Sequence, residues 1–355
     1  MRRSLILSLC VFLVLCVSLG GCSTVAYYSQ SVAGHTRIML ARQPVDRAIE
    51  NAQEPLRSQL MLSKQVRHFA VSELALPESR SYRHYVPLQR EYPVWNVIAA
   101  EEFSIEPKYW CYLVIGCASY RGYFKEASAV EYATGLQEEG FETLVSGATA
   151  YSTLGWFADP ILPSMLRYGD IAFVETLLHE MAHQRLYVNG DSEFNEAFAS
   201  LVGEEGTRRW LRQHRPEELL AYEARLKAIE QFGELVQVTK TALQEVYAQK
   251  TSDEVKRQEK RTVLRQMQDE YDRVKSTQWC GKPWFDHWFK QPINNARLAS
   301  FSTYRASIPA LSALLNGCDG DLARFYQQLE LAEQVAERVI IPTQCGGLKS
   351  EKQTQ

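Results

Sequence analysis

The sequence predicts a predominantly helical α+β chain. A small N-terminal sheet comes first, then a helix carrying His179-Glu180-Met181-Ala182-His183, then a helical C-terminal lobe with a long helical hairpin. Three observations carry that prediction. Aromatic and β-branched runs bounded by turn residues cluster between Val94 and Thr153. The frame from Asp170 to Val188 holds no Pro or Gly and repeats apolar residues three or four apart. Residues 217–276 are charged and Gly-poor, with apolar residues in stripes.

The chain of 355 residues opens with Arg2-Arg3 and an apolar run from Leu5 to about Leu19. That run is too short for a comfortable membrane span and suits a signal peptide. Its ending, Leu19-Gly20-Gly21-Cys22, resembles a bacterial lipobox. The resemblance implies that residues 1–21 are a lipoprotein signal peptide and that Cys22 becomes a lipidated N-terminus, the chain's contact with a membrane. Ser23 stands where an Asp would otherwise follow, which implies the outer membrane, facing the periplasm.

Removing residues 1–21 takes away Arg2 and Arg3, leaving 37 of the 39 Lys and Arg against 42 Asp and Glu, a charge of −5. With no basic tail or stripe, a nucleic-acid partner is not expected. Five cysteines lie outside the leader and the lipid site: Cys111, Cys117, Cys280, Cys318 and Cys345. An odd number leaves at least one unpaired. Cys111 and Cys117 read as buried residues of a strand. Cys280, Cys318 and Cys345 are the better candidates for a bridge, and spacing does not choose the pair.

Residues 22–93 form an expected N-terminal tether and helical segment. Ile49, Leu56, Leu60 and Val66–Phe69 keep roughly helical spacing, with Pro44 and Pro77 as punctuation. The stretch from Tyr27 to Ala41 is either a tether or a helix packed on the body.

Residues 94–215 form the expected α+β catalytic region. Runs from Val94 and from Tyr109 read as strands, a helix follows from about Lys125 to Glu139, and Phe141 opens another strand. Tyr151–Phe157 reads either as an edge strand, with Gly155 allowing close approach of a substrate backbone, or as core plugs ending in a turn at Asp159-Pro160.

In the next helix Asp170 is placed to cap the start and Asn189-Gly190 to end it. His179 and His183, four apart, stand one turn above each other on one face, where both imidazoles can reach one metal ion. Glu180 lies beside them, free to work on a water. Phe194-Asn195-Glu196 then opens a second helix running to about Arg212, and Glu196 is the natural third ligand for Zn2+. Asn195, or Glu175 one turn before His179, is placed to orient the imidazoles.

Residues 216–276 read as a helical hairpin, either a roof over the cleft or an arm for a protein partner. Residues 277–345 form a C-terminal helical lobe with a final helix from about Leu322 to Val339, and residues 346–355 a disordered tail.

His179-Glu-Met-Ala-His183-Gln followed by Asn195-Glu-Ala-Phe-Ala199 resembles the gluzincin metallopeptidases, especially the membrane-alanyl-type aminopeptidases. The gap to the third-ligand Glu is shorter here than in those enzymes. A closer likeness is to a family of bacterial lipoproteins named putative aminopeptidases. It runs through Cys117-Ala-Ser-Tyr120-Arg-Gly-Tyr-Phe124, Ala150–Pro160 and Ile293-Asn-Asn-Ala296, and so covers nearly the whole mature chain. The resemblance implies a gluzincin-like fold, in which a phenol from the C-terminal lobe shares the transition-state charge. Tyr304 is the candidate, with Tyr151 and His287 as competitors.

The expected activity is therefore zinc-dependent hydrolysis of peptide bonds, with His179, His183 and Glu196 as ligands, Glu180 as general base and Tyr304 as its partner. Aminopeptidase action on envelope peptides rests on the resemblance, since no Gly-x-Met-Glu-Asn stretch precedes the helix. Two rivals are a periplasmic endopeptidase and a non-catalytic, metal-stabilised lipoprotein that binds an envelope partner. An intact Glu180 argues against the second, because a structural metal needs no general base.

Overall fold

Proline sets the breaks in the N-terminal helical stretch. The computed structural model describes residues 25–112, 116–151, 157–301, 307–333 and 341–345. Helix α1 (residues 25–40) ends before Pro44, which lies in the two-residue strand β1 (Gln43–Pro44). Pro55, at the N-cap of α3, separates α2 (Val45–Asn51) from α3 (Leu56–Glu73). Proline offers no N–H and suits a helix start, not an interior. The stretch from Tyr27 is a packed helix. Gln30 accepts a hydrogen bond from the Phe124 N–H at 3.0 Å, and Gly34 leaves room for the Phe124 ring, which an added Cβ would meet at 2.0 Å.

Strand β2 (His84–Tyr85) pairs with β1. The main sheet has β3 (Trp95–Glu101) at its centre. The hairpin of β4 (Trp110–Tyr112) and β5 (Gly116–Ala118) stands apart from it. Strands β6 (Arg121–Tyr123) and β7 (Phe141–Gly147) flank β3, both antiparallel, with Trp95 opposite Tyr123 and Gly147. Helix α4 (Glu126–Glu138) lies between them in sequence and buries Ala129, Ala133 and Leu136 against Val97 and Ala99.

Cys111 and Cys117 are not the buried strand residues expected. They face each other across the β4–β5 hairpin, exposed, and form a disulfide. A second disulfide joins Cys318 to Cys345, and Cys280 is free and exposed.

Helices α5 (Pro163–Leu166), α6 (Asp170–Ala182) and α7 (Ser192–His214) follow. Phe173, Val174, Leu177, Leu178 and Met181 of α6 and Phe198, Val202 and Leu211 of α7 sit in the largest apolar cluster with α3. Past the 3-10 turn Pro216–Glu218 come α8 (Leu219–Ala248) and α9 (Asp253–Thr277), the hairpin expected from the stripes. Phe232 and Tyr271 on its inner face pack against Phe285 and Phe289 around α10 (Asp286–Phe289).

The Ile293-Asn294-Asn295-Ala296 segment opens α11 (Asn295–Ser300) and fastens the hairpin to the sheet. Asn295 is fully buried, accepts from the Tyr247 hydroxyl at 2.8 Å and donates to the carbonyls of Glu101 and Glu102 at 2.9 Å each. Lys260 of α9 donates to the Glu142 carboxylate of β7 at 2.5 Å. Helices α12 (Ile308–Gly317) and α13 (Leu322–Glu333) are the last of the described helices. Helix α12 is not among the elements expected from the sequence, and Pro309 lies in its first turn. Proline in a first turn loses nothing, and Leu311, Leu314 and Leu315 then fall on one buried face.

With 61% helix and small antiparallel sheets, the fold class is the predominantly helical α+β predicted. Among the described residues no helix is long and apolar enough to cross a membrane.

Candidate active site

Helix α6 begins after Gly169, whose φ of 88° is the left-handed backbone that glycine adopts without strain. Gly169, not Asp170, is the N-cap; Asp170 opens the first turn and pairs with Arg215 at 2.8 Å, where the helix dipole favours a carboxylate. The helix ends at Ala182, earlier than Asn189-Gly190 suggested. Asn195 supplies the reason: its side chain accepts from the Val188 N–H at 2.8 Å and donates to the Val188 carbonyl at 2.7 Å. Those two bonds satisfy a non-helical loop between the helices, so Asn195 braces that loop and does not orient an imidazole.

His183 is the C-cap of α6 but keeps helical angles, φ −58° and ψ −21°, and its N–H still points to the His179 carbonyl at 3.4 Å. The one-turn stacking of the two rings therefore survives the helix end. Helix α7 is capped by Asp191, which accepts from the Phe194 N–H at 3.1 Å, and Glu196 falls in its second turn. Gly203, farther along α7, lets the two helices approach. An added Cβ there would meet the His179 Cβ at 3.2 Å and the Glu175 carbonyl oxygen at 3.1 Å.

The result is a convergence of three donor atoms. The Nε2 atoms of His179 and His183 are 3.2 Å apart, and the Glu196 carboxylate oxygens lie 3.3 Å from the first and 3.6 Å from the second. Tetrahedral zinc with bonds of ~2.0–2.1 Å needs ligand atoms roughly 3.3 Å apart. Two imidazole nitrogens and one carboxylate oxygen are also the donor set of an open, hydrolytic zinc site, and the group can hold a metal ion.

The electrostatics agree with that use. Burial, reinforced by His179 and opposed by Glu196, pushes His183 down to about 4, leaving a neutral ring whose lone pair is available. Burial would lower His179 too, but the hydrogen bond to Glu196 and the fields of Glu180, Glu196 and Glu175 outweigh it and raise the ring. For Glu196 burial acts upward, and the two imidazoles win and hold the carboxyl below its ordinary value. Burial lifts Glu180 to about 7, against the pull of His179 and a smaller one from the Tyr82 phenol.

Two cavities flank the group. One of 360 Å3 opens on His179 and Glu180 and is bordered by Glu175, Glu204 and Thr149. The other, of 740 Å3, opens on His183. Both lie within the ordinary ligand-pocket range, roughly 300–1,000 Å3.

A comparison with protein families places the chain. The family described as "Putative aminopeptidase" matches residues 26–339. The chain belongs to that family. No curated protein and no solved structure matches it.

The match takes in the helices that carry the three donors, and leaves out the leader, Cys22 and Cys345. Cys22 and Tyr304 lie outside the described residues, as does most of the Tyr151–Phe157 segment. Tyr151 turns its hydroxyl to His35 Nδ1 at 2.9 Å, tying α1 to the body. His287 is exposed on α10, among the aromatic residues of the hairpin. Glu175 faces the smaller cavity and pairs with Arg225 at 3.3 Å, beside His179 but without a hydrogen bond to its ring among the described residues.

Tyr187 and Tyr82 went unnoticed in the sequence. The Tyr187 ring stands 6.5 Å from the His183 ring, with burial, and after it Glu196, raising its phenol. Its spacing, four residues past His183, was a usable signal. Tyr82 is buried in the left-handed region at φ 59° and had none, because a separate loop brings it to Glu180.

Proposed function

We propose that the protein is a zinc-dependent aminopeptidase. The convergence of His179, His183 and Glu196 at spacings of 3.2–3.6 Å, with Glu180 beside them, is the observation that carries this reading. The family description supports the peptidase class.

His179, His183 and Glu196 hold the metal. When bound there, zinc supplies a Lewis acid that polarises the scissile carbonyl and eases deprotonation of water near neutral pH. Glu180 takes a proton from the attacking water at its carboxylate and returns it to the leaving amine. The Tyr82 phenol lies beside that carboxylate and favours its charged form. The phenol that shares the developing charge on the carbonyl oxygen is Tyr304, with Tyr187 as the described candidate nearest the donors. The acidic rim of the smaller cavity, Glu175 and Glu204 next to Glu180, suits a free α-ammonium, which favours an exopeptidase over an endopeptidase.

Action in the cell envelope, from a lipid anchor on Cys22, is supported by the Leu19-Gly20-Gly21-Cys22 sequence. An unmodified, uncleaved N-terminus in membrane fractions, read by mass spectrometry, would contradict it.

Glu180→Gln tests the chemistry. The variant keeps the side chain's outline but cannot accept a proton, so zinc content stays at the wild-type level while hydrolysis of a free-amine peptide falls by about two orders of magnitude. An N-acetylated counterpart is a poor substrate for the wild type. Equal rates on blocked and free peptides would point to the endopeptidase, and wild-type kinetics in the variant would remove Glu180 from the mechanism.

A further inference from the structure

The larger cavity is not explained by the hydrolytic group. It opens on His183 and shares no lining residue with the cavity that carries the acidic rim; its walls come from the loop after Pro77, from Phe157-Ala158 and from the loop after α6. Its charges are unequal in their commitments. Glu78 is held by Arg67 at 3.1 Å and by Arg83. Arg185 is held by Glu330 at 2.9 Å and lies over the Tyr326 ring. Arg80 is exposed and, among the described residues, has no hydrogen bond or ion pair.

The loop that carries Arg80 is pinned on both sides. The Ser81 hydroxyl accepts from the Asp159 N–H at 3.1 Å, and the Tyr82 N–H donates to the Asp159 carbonyl at 2.6 Å. Arg83 Nε donates to the Ser79 carbonyl at 3.0 Å. The backbone beneath Arg80 is thus placed before any ligand arrives, which lowers the ordering cost of binding. Tyr187 and Phe157, 39% and 51% exposed, stand on the same cavity and offer apolar faces beside the free cation.

We propose that this cavity receives the downstream end of a short peptide, with Arg80 taking a substrate carboxylate and Tyr187 and Phe157 flanking the side chain that follows the scissile bond. The proposal rests on the peptidase reading and sets the direction of the substrate. The α-ammonium lies on the acidic side at Glu180, and the carboxylate on the basic side past His183. The carboxylate is either the C-terminus of a dipeptide or an acidic side chain in its second position.

Three substrates separate these sources in the full-length protein: alanyl-tyrosine as the free acid, alanyl-tyrosine amide, and alanyl-glutamate amide. The wild type favours a carboxylate-bearing substrate over alanyl-tyrosine amide by about tenfold or more, mainly in KM, as a charge-assisted hydrogen bond would give. Arg80→Ala erases that preference by weakening only the carboxylate-bearing substrate, Arg80→Lys restores part of it, and the amide is unaffected. Which acid is favoured identifies the source.

Equal use of all three by the wild type, or an Arg80→Ala effect that is the same on all three, overturns the proposal and leaves the peptidase reading standing. Binding of the same compounds to the Glu180→Gln protein, by calorimetry, supplies a readout without turnover. If the wild type hydrolyses none of them, the peptidase reading fails. Arg80-dependent binding of the carboxylate compounds would then still support the cavity assignment, and its absence would end it.

Discussion

Gly203 lies directly behind His179. A methyl group added at Gly203 would stand 3.2 Å from the His179 Cβ and 3.3 Å from its backbone nitrogen. The spacing between α6 and α7, and with it the distance from the imidazoles to Glu196, therefore depends on a missing side chain.

Gly203→Ala is expected to lower zinc affinity by about tenfold or more, since a hydrolytic donor set tolerates only small displacements. The neighbours are backbone and a Cβ, which cannot turn aside. Helix propensity returns ~1 kcal/mol to the variant and overpacking removes ~1–3 kcal/mol, so stability changes modestly. Gly206→Ala is the control. Its added methyl meets the flexible tips of Leu74 and Leu178 at 2.7 and 2.8 Å, so it should cost stability without affecting the metal. Equal zinc affinity in wild type and Gly203→Ala would show that the helix spacing does not set the site.

Asn295→Ala should destabilise the fold by roughly 1–3 kcal/mol in urea denaturation, because it leaves the Glu101 carbonyl and the Tyr247 hydroxyl short of partners, while the Glu102 carbonyl keeps Lys260. The hairpin should exchange amide hydrogens faster at Tyr247 and Lys260. A change below about 0.5 kcal/mol would mean that the hairpin is fastened elsewhere.

The Asp286 carboxyl is held below its ordinary value by Lys275, bonded at 2.6 and 2.7 Å, and by the Tyr271 hydroxyl. A carboxyl depressed in the fold contributes stability above its unfolded pKa and loses it as pH falls through the folded value. Wild type and Asp286→Asn should therefore differ most in thermal stability near neutral pH and converge in acid, below the ordinary value of 3.8. Because the group is partly exposed, salt should narrow the gap. A constant difference across pH would remove the ion pair from the explanation.

What could be read from the chain follows the range of the forces involved. The convergence of His179, His183 and Glu196 was legible because helical spacing is local, and Glu196 stands just past the loop that joins the helices. The hairpin was legible for the same reason, its stripes repeating with one period from Tyr222 to Tyr247. The end of α6 was not, because the two bonds from Asn195 to Val188 decide it from the next helix. Cys111 and Cys117 were misread because an aromatic run implied burial, whereas the hairpin that holds them stands off the main sheet. Arg80 and Tyr82 reach the site on a loop about a hundred residues away in sequence, which no local pattern encodes.

Whether His179, His183 and Glu196 hold zinc is decided by calorimetric titration of the chelator-treated full-length protein. Binding of about one zinc per chain is expected, lost or weakened by orders of magnitude in His179→Ala, His183→Ala and Glu196→Ala, while each variant keeps its far-ultraviolet spectrum. Wild-type zinc binding in all three variants, or none in the wild type, would contradict it.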